Sequence, residues 1–265
     1  MTRRQATVFG EVAELYHRHR PDYPGAMFDW LVDLTALPSP ALVIDVGCGT
    51  GKSSSFFVAR GDRVIGVEPD PAMAAVARRT AVGPGRLDIA PLALQDWAGP
   101  DRPADLAVSG QAWHWADPAT RFDDVADKLS PTGWLCVFWN RPEPVEHPFA
   151  EEVTAAYRRH APELATGTTA IRFPGSKAAV AAPTPSAEFD QSGRFGPVER
   201  FEVTWDREID AEEHCANLRT QSDHRLLDQA ALEGLLTEIN EAILGVGGSY
   251  QQPYTTHAYA AVVLT

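Results

Sequence analysis

The run Val43-Ile44-Asp45-Val46-Gly47-Cys48-Gly49-Thr50-Gly51-Lys52 constrains this chain more than any other segment. Leu42, Val43, Ile44 and Val46 suit a buried strand, and three glycines at alternate positions follow at once. Residues 53–60 then read as helix. Glycine permits a tight backbone turn and lets a ligand approach the main chain with no Cβ in the way. Strand, glycine turn and helix together make a nucleotide-binding βα junction of an open α/β sheet.

Spacing separates the glycine-loop chemistries. A phosphate-binding P-loop ending in Gly51-Lys52-Ser53 needs its first glycine where this chain has Val46. Gly47 is one residue too close, so the loop is too short to wrap a phosphate. A dinucleotide fingerprint needs its third glycine where Lys52 stands.

The D-x-G-x-G-x-G spacing of Asp45, Gly47, Gly49 and Gly51 resembles motif I of the class I S-adenosylmethionine (SAM) dependent methyltransferases. Downstream residues agree. Val64-Ile65-Gly66-Val67-Glu68 is a second apolar strand ending in an acid, able to accept from both ribose hydroxyls, and Glu68-Pro69-Asp70 opens a helix. Gln95-Asp96-Trp97 follows a third strand. The family resemblance implies that Asp96 meets the adenine amino group and that Trp97 packs on the ring. After the fourth strand, Gly110-Gln111-Ala112-Trp113-His114-Trp115-Ala116-Asp117-Pro118 is similar to the Q-A-x-H-W-x-D signature of a subgroup that includes trans-aconitate-methyltransferase-like proteins. Leu129-Ser130-Pro131-Thr132-Gly133 resembles the family's L-x-P-G-G turn, with Thr132 in place of the first glycine. Tyr16, Arg20-Pro21 and Tyr23-Pro24 resemble an N-terminal cap that closes over SAM. The likeness runs through residues 8–140.

The resemblance implies a Rossmann-like α/β fold: a seven-stranded, mostly parallel sheet with helices on both faces. The chain divides into a helical cap (1–40), a SAM-binding core (41–140), a lid or substrate insertion (141–196) and C-terminal strands and helices (197–265). Expected strands are 41–46, 63–67, 87–94, 104–109, 133–139, 198–207 and 255–264; expected helices include 8–20, 118–129, 148–160, 210–222 and 228–244. Residues 178–186 read as weakly structured.

The formal charge of −13 argues against a nucleic-acid phosphate track. No apolar run approaches the length of a membrane span, and no apolar core follows Arg3-Arg4, which predicts no secretory leader. Three scattered cysteines, without a C-x-x-C pair, suggest a reduced, cytoplasmic setting. No metal is expected: H-E-x-x-H is missing, and His17 and His19 would diverge on a helix.

The candidate cofactor residues are Tyr16, Arg20, Asp45, Gly47, Cys48, Gly49, Gly51, Glu68, Pro69, Asp96, Trp97 and Gln111, with SAM as cofactor and S-adenosylhomocysteine as product. Cys48 needs only to be small. Arg20 could pair with the methionine carboxylate. His114, beyond the fourth strand, is the candidate general base, or else a structural ring between Trp113 and Trp115. By analogy with the trans-aconitate branch that the signature resembles, Arg141 and Arg172 are candidate anchors for an anionic acceptor. The implied reaction is methyl transfer to an oxygen, nitrogen or carbon of a small molecule. A SAM-binding module without turnover, or a SAM enzyme of another reaction type, would share these residues.

Overall fold

The computed structural model describes residues 13–143, 145, 147–165 and 185–264. Seven strands form one sheet in the order β3-β2-β1-β4-β5-β7-β6. They are β1 (Leu42–Val46), β2 (Arg63–Val67), β3 (Arg86–Ala90), β4 (Ala104–Gly110), β5 (Leu129–Pro142), β6 (Glu199–Asp210) and β7 (Ser249–Val262). The first five pair in parallel, and β7 runs antiparallel between β5 and β6. The fold and the strand count are those expected from the sequence. The chain leaves β1 toward β2 on one side and reaches β4 on the other, which opens a crevice at the carboxyl ends of β1 and β4.

Alternation along the central strands fills both faces of the sheet. Leu42, Ile44 and Val46 join Leu135, Val137 and Phe122 on one side. Val43, Leu106 and Val108 meet Met27, Phe28 and Phe57 on the other, where α2 (Gly25–Thr35) and α3 (Lys52–Arg60) lie. Asp70 accepts from the backbone N–H groups of Ala72 and Met73 and so starts α4 (Pro71–Thr80), with proline in its first turn. A short α5 (Arg121–Ala126) precedes β5.

A helical layer stands beside the sheet. Helices α6 (Ala150–His160), α8 (Ala211–Arg219) and α9 (Gln229–Gly245) bury Val153, Tyr157, Leu218, Leu235 and Ile239 against one another. Helix α1 (Ala13–His19) contacts both α8 and α4 and thereby links this layer to the glycine-loop side of the sheet.

Several boundaries differ from the sequence reading. Strand β3 stops at Ala90, because Pro91 has no N–H to continue the ladder, and residues 94–96 form a 3-10 turn instead. Helix α5 is shorter than expected; residues 117–120 turn around Asp117, whose carboxylate accepts from Ala119 N–H. Strand β5 takes in the L-x-P-x-G segment as an irregularity between the pairs Ala104–Leu129 and Leu106–Trp134. Strands β6 and β7 pair from Glu199–Ala260 to Asp210–Ser249, and their polar far ends carry no apolar alternation to betray the length. A further helix, α7 (Pro185–Ser192), buries Phe189 against Phe122 and Phe195. Residues 8–12 of the expected first helix, and 178–184 of the weakly structured stretch, lie outside the described residues.

Asp62 clamps this core together. It is fully buried, accepts from Ala41 N–H at 2.8 Å and receives both bonds of Arg60 at 2.8 Å. Arg60 also donates to the carbonyl of Leu37. Asp62→Ala leaves a guanidinium and a backbone donor uncompensated and should cost about 3 kcal/mol in urea unfolding. A loss below about 1 kcal/mol would mean that water replaces the carboxylate.

Candidate functional site

Strand β1 ends in a loop held left-handed at three positions: Gly47, Gly49 and Gly51 have φ of +66°, +55° and +83°. At Gly47 a Cβ would lie 2.5 Å from Cβ of Ala112, so the loop touches the segment after β4. At Gly49 the nearest atom to such a Cβ is 4.0 Å away, which leaves the main chain open toward the crevice. Gly51 packs on Ala77 of α4 and begins α3. Cys48 turns away into the protein, against Gly66 of β2.

Two buried carboxylates hold the loop. Asp45 accepts from the hydroxyls of Ser53 and Ser54 on one oxygen, at 2.6 Å each, and its Oδ1 has no partner. Burial raises its pKa to about 6 despite the two hydroxyls. Glu68, at the tip of β2, accepts from Gly49 N–H at 2.9 Å and from Asp70 N–H at 2.8 Å, one bond to each oxygen. Burial pushes its pKa up to about 7 against those two bonds.

The opposite wall comes from β4 and β5. Gln111 follows Gly110 with φ of +58°, a strained setting for a residue with a side chain. Its amide donates to the carbonyl of Asn140 at 2.9 Å. Asn140 donates to the carbonyl of Asp22 and accepts from Thr256, whose hydroxyl in turn accepts from the Trp205 indole. This chain of bonds fixes the cap loop to the end of β5. Lys52 adds a second tie, 2.6 Å from Asp22. Trp113 is buried against Phe122 at 5.1 Å between centroids and belongs to the core. His114, beside Trp115, keeps an open face; desolvation by the surrounding protein, with the charges of Arg121 and Arg141, lowers its pKa.

These walls enclose a cleft of about 460 Å³. Of the residues singled out from sequence, Tyr16, Arg20, Gly47, Gly49, Glu68, Pro69, Gln111 and His114 line it. Asp45, Cys48 and Gly51 stand behind the lining. Asp96 is exposed on its 3-10 turn, and Trp97 packs on the core under Lys128, 5.9 Å away; neither lines the cleft. Arg141 is exposed and outside it, and Arg172 lies outside the described residues. Sequence reasoning missed Asn140, Asn217, Gln221, Ser222, Asp223 and Tyr254 on the far wall. Asn140 could have been suspected as a polar residue ending an apolar strand; the others sit in no motif. Among the described residues, no group of three His, Cys, Asp or Glu side chains could hold a metal ion.

A family model described as "Methyltransferase domain" matches residues 44–137, which run from β1 through the glycine loop, Glu68 and His114 into β5. Residues 44–137 are similar to a methyltransferase domain. An uncharacterized methyltransferase of Mycobacterium tuberculosis is 39% identical over 137 residues, covering 50% of this chain and 51% of the relative. A trans-aconitate 2-methyltransferase of Methylobacterium nodulans is 33% identical over 117 residues, 42% of each chain. The chain spans about half the length of the curated relatives it matches. Among solved structures, a chain of Anaeromyxobacter dehalogenans assigned as a type II methyltransferase aligns with a TM-score of 0.62 at 20% identity, over 92% of this chain and 98% of that one. A SAM-dependent methyltransferase of Geobacter sulfurreducens, in complex with S-adenosylhomocysteine, aligns with a TM-score of 0.51 at 18% identity, over 95% and 96%. At such identities the likeness is one of fold. The matched span supplies the glycine loop, Glu68 and His114, while Tyr16, Arg20, Asn140, Asn217, Gln221, Ser222 and Asp223 reach the cleft from outside it.

Folding raises the Glu68 pKa, so its ionised form opposes folding: that penalty is absent below the ordinary value of 4.5 and complete above about 7. A carbon-13 NMR titration should find the Glu68 carboxyl midpoint near pH 7. A midpoint near 4.5 would mean that the carboxylate is hydrated rather than held dry.

Proposed function

We propose that this chain is a SAM-dependent methyltransferase of a small-molecule acceptor. The carrying observation is Glu68, a buried carboxylate at the tip of β2, bonded to the glycine loop and lining the cleft. Each of its oxygens accepts one bond from the backbone and keeps a lone pair, which suits the two hydroxyls of a ribose. The cleft fits the rest of SAM in kind. Gly49 opens the main chain where a Cβ would intrude. Arg20, with its guanidinium over the Tyr16 ring at 5.3 Å, is a counterpart for the methionine carboxylate. Gln111 and Pro69 complete the walls. The adenine contact of Asp96 and Trp97 rests on the sequence resemblance, since neither lines the cleft.

Bound SAM supplies a methyl group on a positively charged sulfur, which an acceptor lone pair takes in an in-line displacement. The protein's part is alignment, exclusion of water and handling of one proton. Tyr23, Asn140 and the Lys52–Asp22 pair hold the cap loop over the carboxyl edge of the sheet and keep the reactants together, an effect worth up to about 7–11 kcal/mol. His114 has a lowered pKa, so its imidazole is neutral at pH 7 and can take the acceptor's proton. The size of the cleft fits a small acceptor rather than a macromolecule. Three unpaired cysteines suit a cytoplasmic setting. Among the described residues, no helix is long and apolar enough to cross a membrane.

Calorimetric titration tests the cofactor. SAM and S-adenosylhomocysteine should bind at micromolar concentration and NADH and ATP should not; silence with the SAM pair would overturn the reading. Glu68→Ala should weaken binding about ten-fold, or about 1.4 kcal/mol. Ribose hydroxyls prefer the ionised carboxylate, so wild-type affinity should fall as pH drops below about 7. A flat profile would remove Glu68 from the site. Once an acceptor is found, His114→Ala should leave SAM affinity intact and lower turnover by about 10²-fold or more. Unchanged turnover would reduce His114 to packing.

A further inference from the structure

Part of the cleft wall comes from α8 and the connection that follows it, through Asn217, Gln221, Ser222 and Asp223, and from Tyr254 of β7. Its chemistry is one-sided. Asp223 follows α8 on the short connection to α9, and one of its oxygens is fully occupied. Oδ1 accepts from His224 N–H at 2.8 Å and from the His224 ring at 2.8 Å. His224 is completely buried, and its other ring nitrogen lies 2.7 Å from the Tyr157 hydroxyl inside the helical core. A single tautomer satisfies both contacts: the tyrosine donates to Nε2, and Nδ1 carries the proton given to Asp223. Desolvation would raise the Asp223 pKa, but the His224 contacts outweigh it and hold the carboxyl below its ordinary value. Oδ2 has no partner among the described residues, and the side chain is 34% exposed. Six residues earlier, in α8, Oδ1 of Asn217 is buried with no hydrogen-bond partner among the described residues.

Among the described residues, the lysine and arginine side chains that line the cleft have partners. Lys52 is paired with Asp22, and Arg207 is held by Glu213 and by the carbonyl of His19. Arg20 donates to Thr220 and leans over Tyr16, and in the reading above it faces the cofactor carboxylate. With Arg20 given to the cofactor, a free acceptor oxygen on an oriented carboxylate recognises a hydrogen-bond donor. It repels an anion.

We propose that Asp223, oriented by His224 and Tyr157, is the specificity-determining residue of the acceptor subsite, and that the acceptor is a small molecule presenting a hydroxyl or ammonium group rather than a carboxylate. This rests on the methyltransferase reading and narrows its substrate class. It also sets Asp223, not Arg141, as the charged anchor for the acceptor.

The test has two separate parts. Calorimetry with S-adenosylhomocysteine on wild type and Asp223→Asn checks the underlying reading; asparagine keeps an oxygen for His224 and removes only the charge. Wild type should bind, and the variant should bind within two-fold. No binding by wild type would sink the methyltransferase reading. A ten-fold loss in Asp223→Asn alone would mean that Asp223 holds the cofactor, and would overturn the proposal. Ligand-observed NMR on the protein saturated with S-adenosylhomocysteine then compares matched fragments: benzyl alcohol and benzylamine against benzoate, with trans-aconitate as a polycarboxylate probe. The alcohol or the amine should bind at least ten-fold tighter than either carboxylate, and Asp223→Asn should erase most of that preference. Tighter carboxylate binding, no preference, no fragment binding at all, or a preference unchanged in Asp223→Asn would each overturn it.

Discussion

Two serine hydroxyls, from Ser53 and Ser54, donate to the same oxygen of Asp45 beneath the glycine loop. That contact draws the first turn of α3 back onto β1 and leaves only the left-handed glycine turn to connect them. Glu68 fixes the same loop from the side of β2 through Gly49 N–H. A buried carboxylate that lost its partners would cost more than the loop itself, so the turn is determined from below and from one side. The open main chain at Gly49 and the floor of the cleft follow from this arrangement. The strain at Gln111 is carried on the opposite wall, where Asn140 holds the side chain.

The cleft is closed by parts far apart in the chain. Asn140, at the end of β5, binds the cap loop through Asp22 and is itself held by Thr256 of β7. The antiparallel pair β6 and β7 therefore reaches the site through a line of hydrogen bonds. Helix α1 lies between α4 and α8, with Ala13 and Tyr16 packed around Met73 and Val76. It carries Tyr16 to the cleft and leads into Arg20. The helical layer faces the glycine loop across the cleft, and the proposed cofactor and acceptor subsites take their character from these two opposed walls.

Much of the core was legible because parallel strands buried on both faces read as continuous apolar runs. Strand β2 has the bounds expected of it, and β1 and β4 differ by one residue at an end. Glycine spacing was legible because each position demands a positive φ or close contact, and no other residue meets both demands. The ends of β6 and β7 were not, since an edge ladder tolerates polar residues on both faces. Trp97 illustrates another limit: sequence places an aromatic after β3 but says nothing of the Lys128 that covers it. His114 and Trp113 are neighbours in sequence, and only packing separated the buried ring from the open one.

By itself, the sequence determined the sheet's central strands, the glycine turn and the acid that follows β2. These depend on local backbone conformation and on the periodicity of apolar side chains, which neighbouring residues encode. Only the tertiary structure decided which polar groups are dry, which are paired and which face a shared space. Asp223, His224 and Tyr157 meet because α6 packs near the connection between α8 and α9, and no local pattern records a contact between residues 67 apart. The glycine-loop side of the cleft is therefore written in consecutive residues. Its opposite wall exists only once the helices have packed.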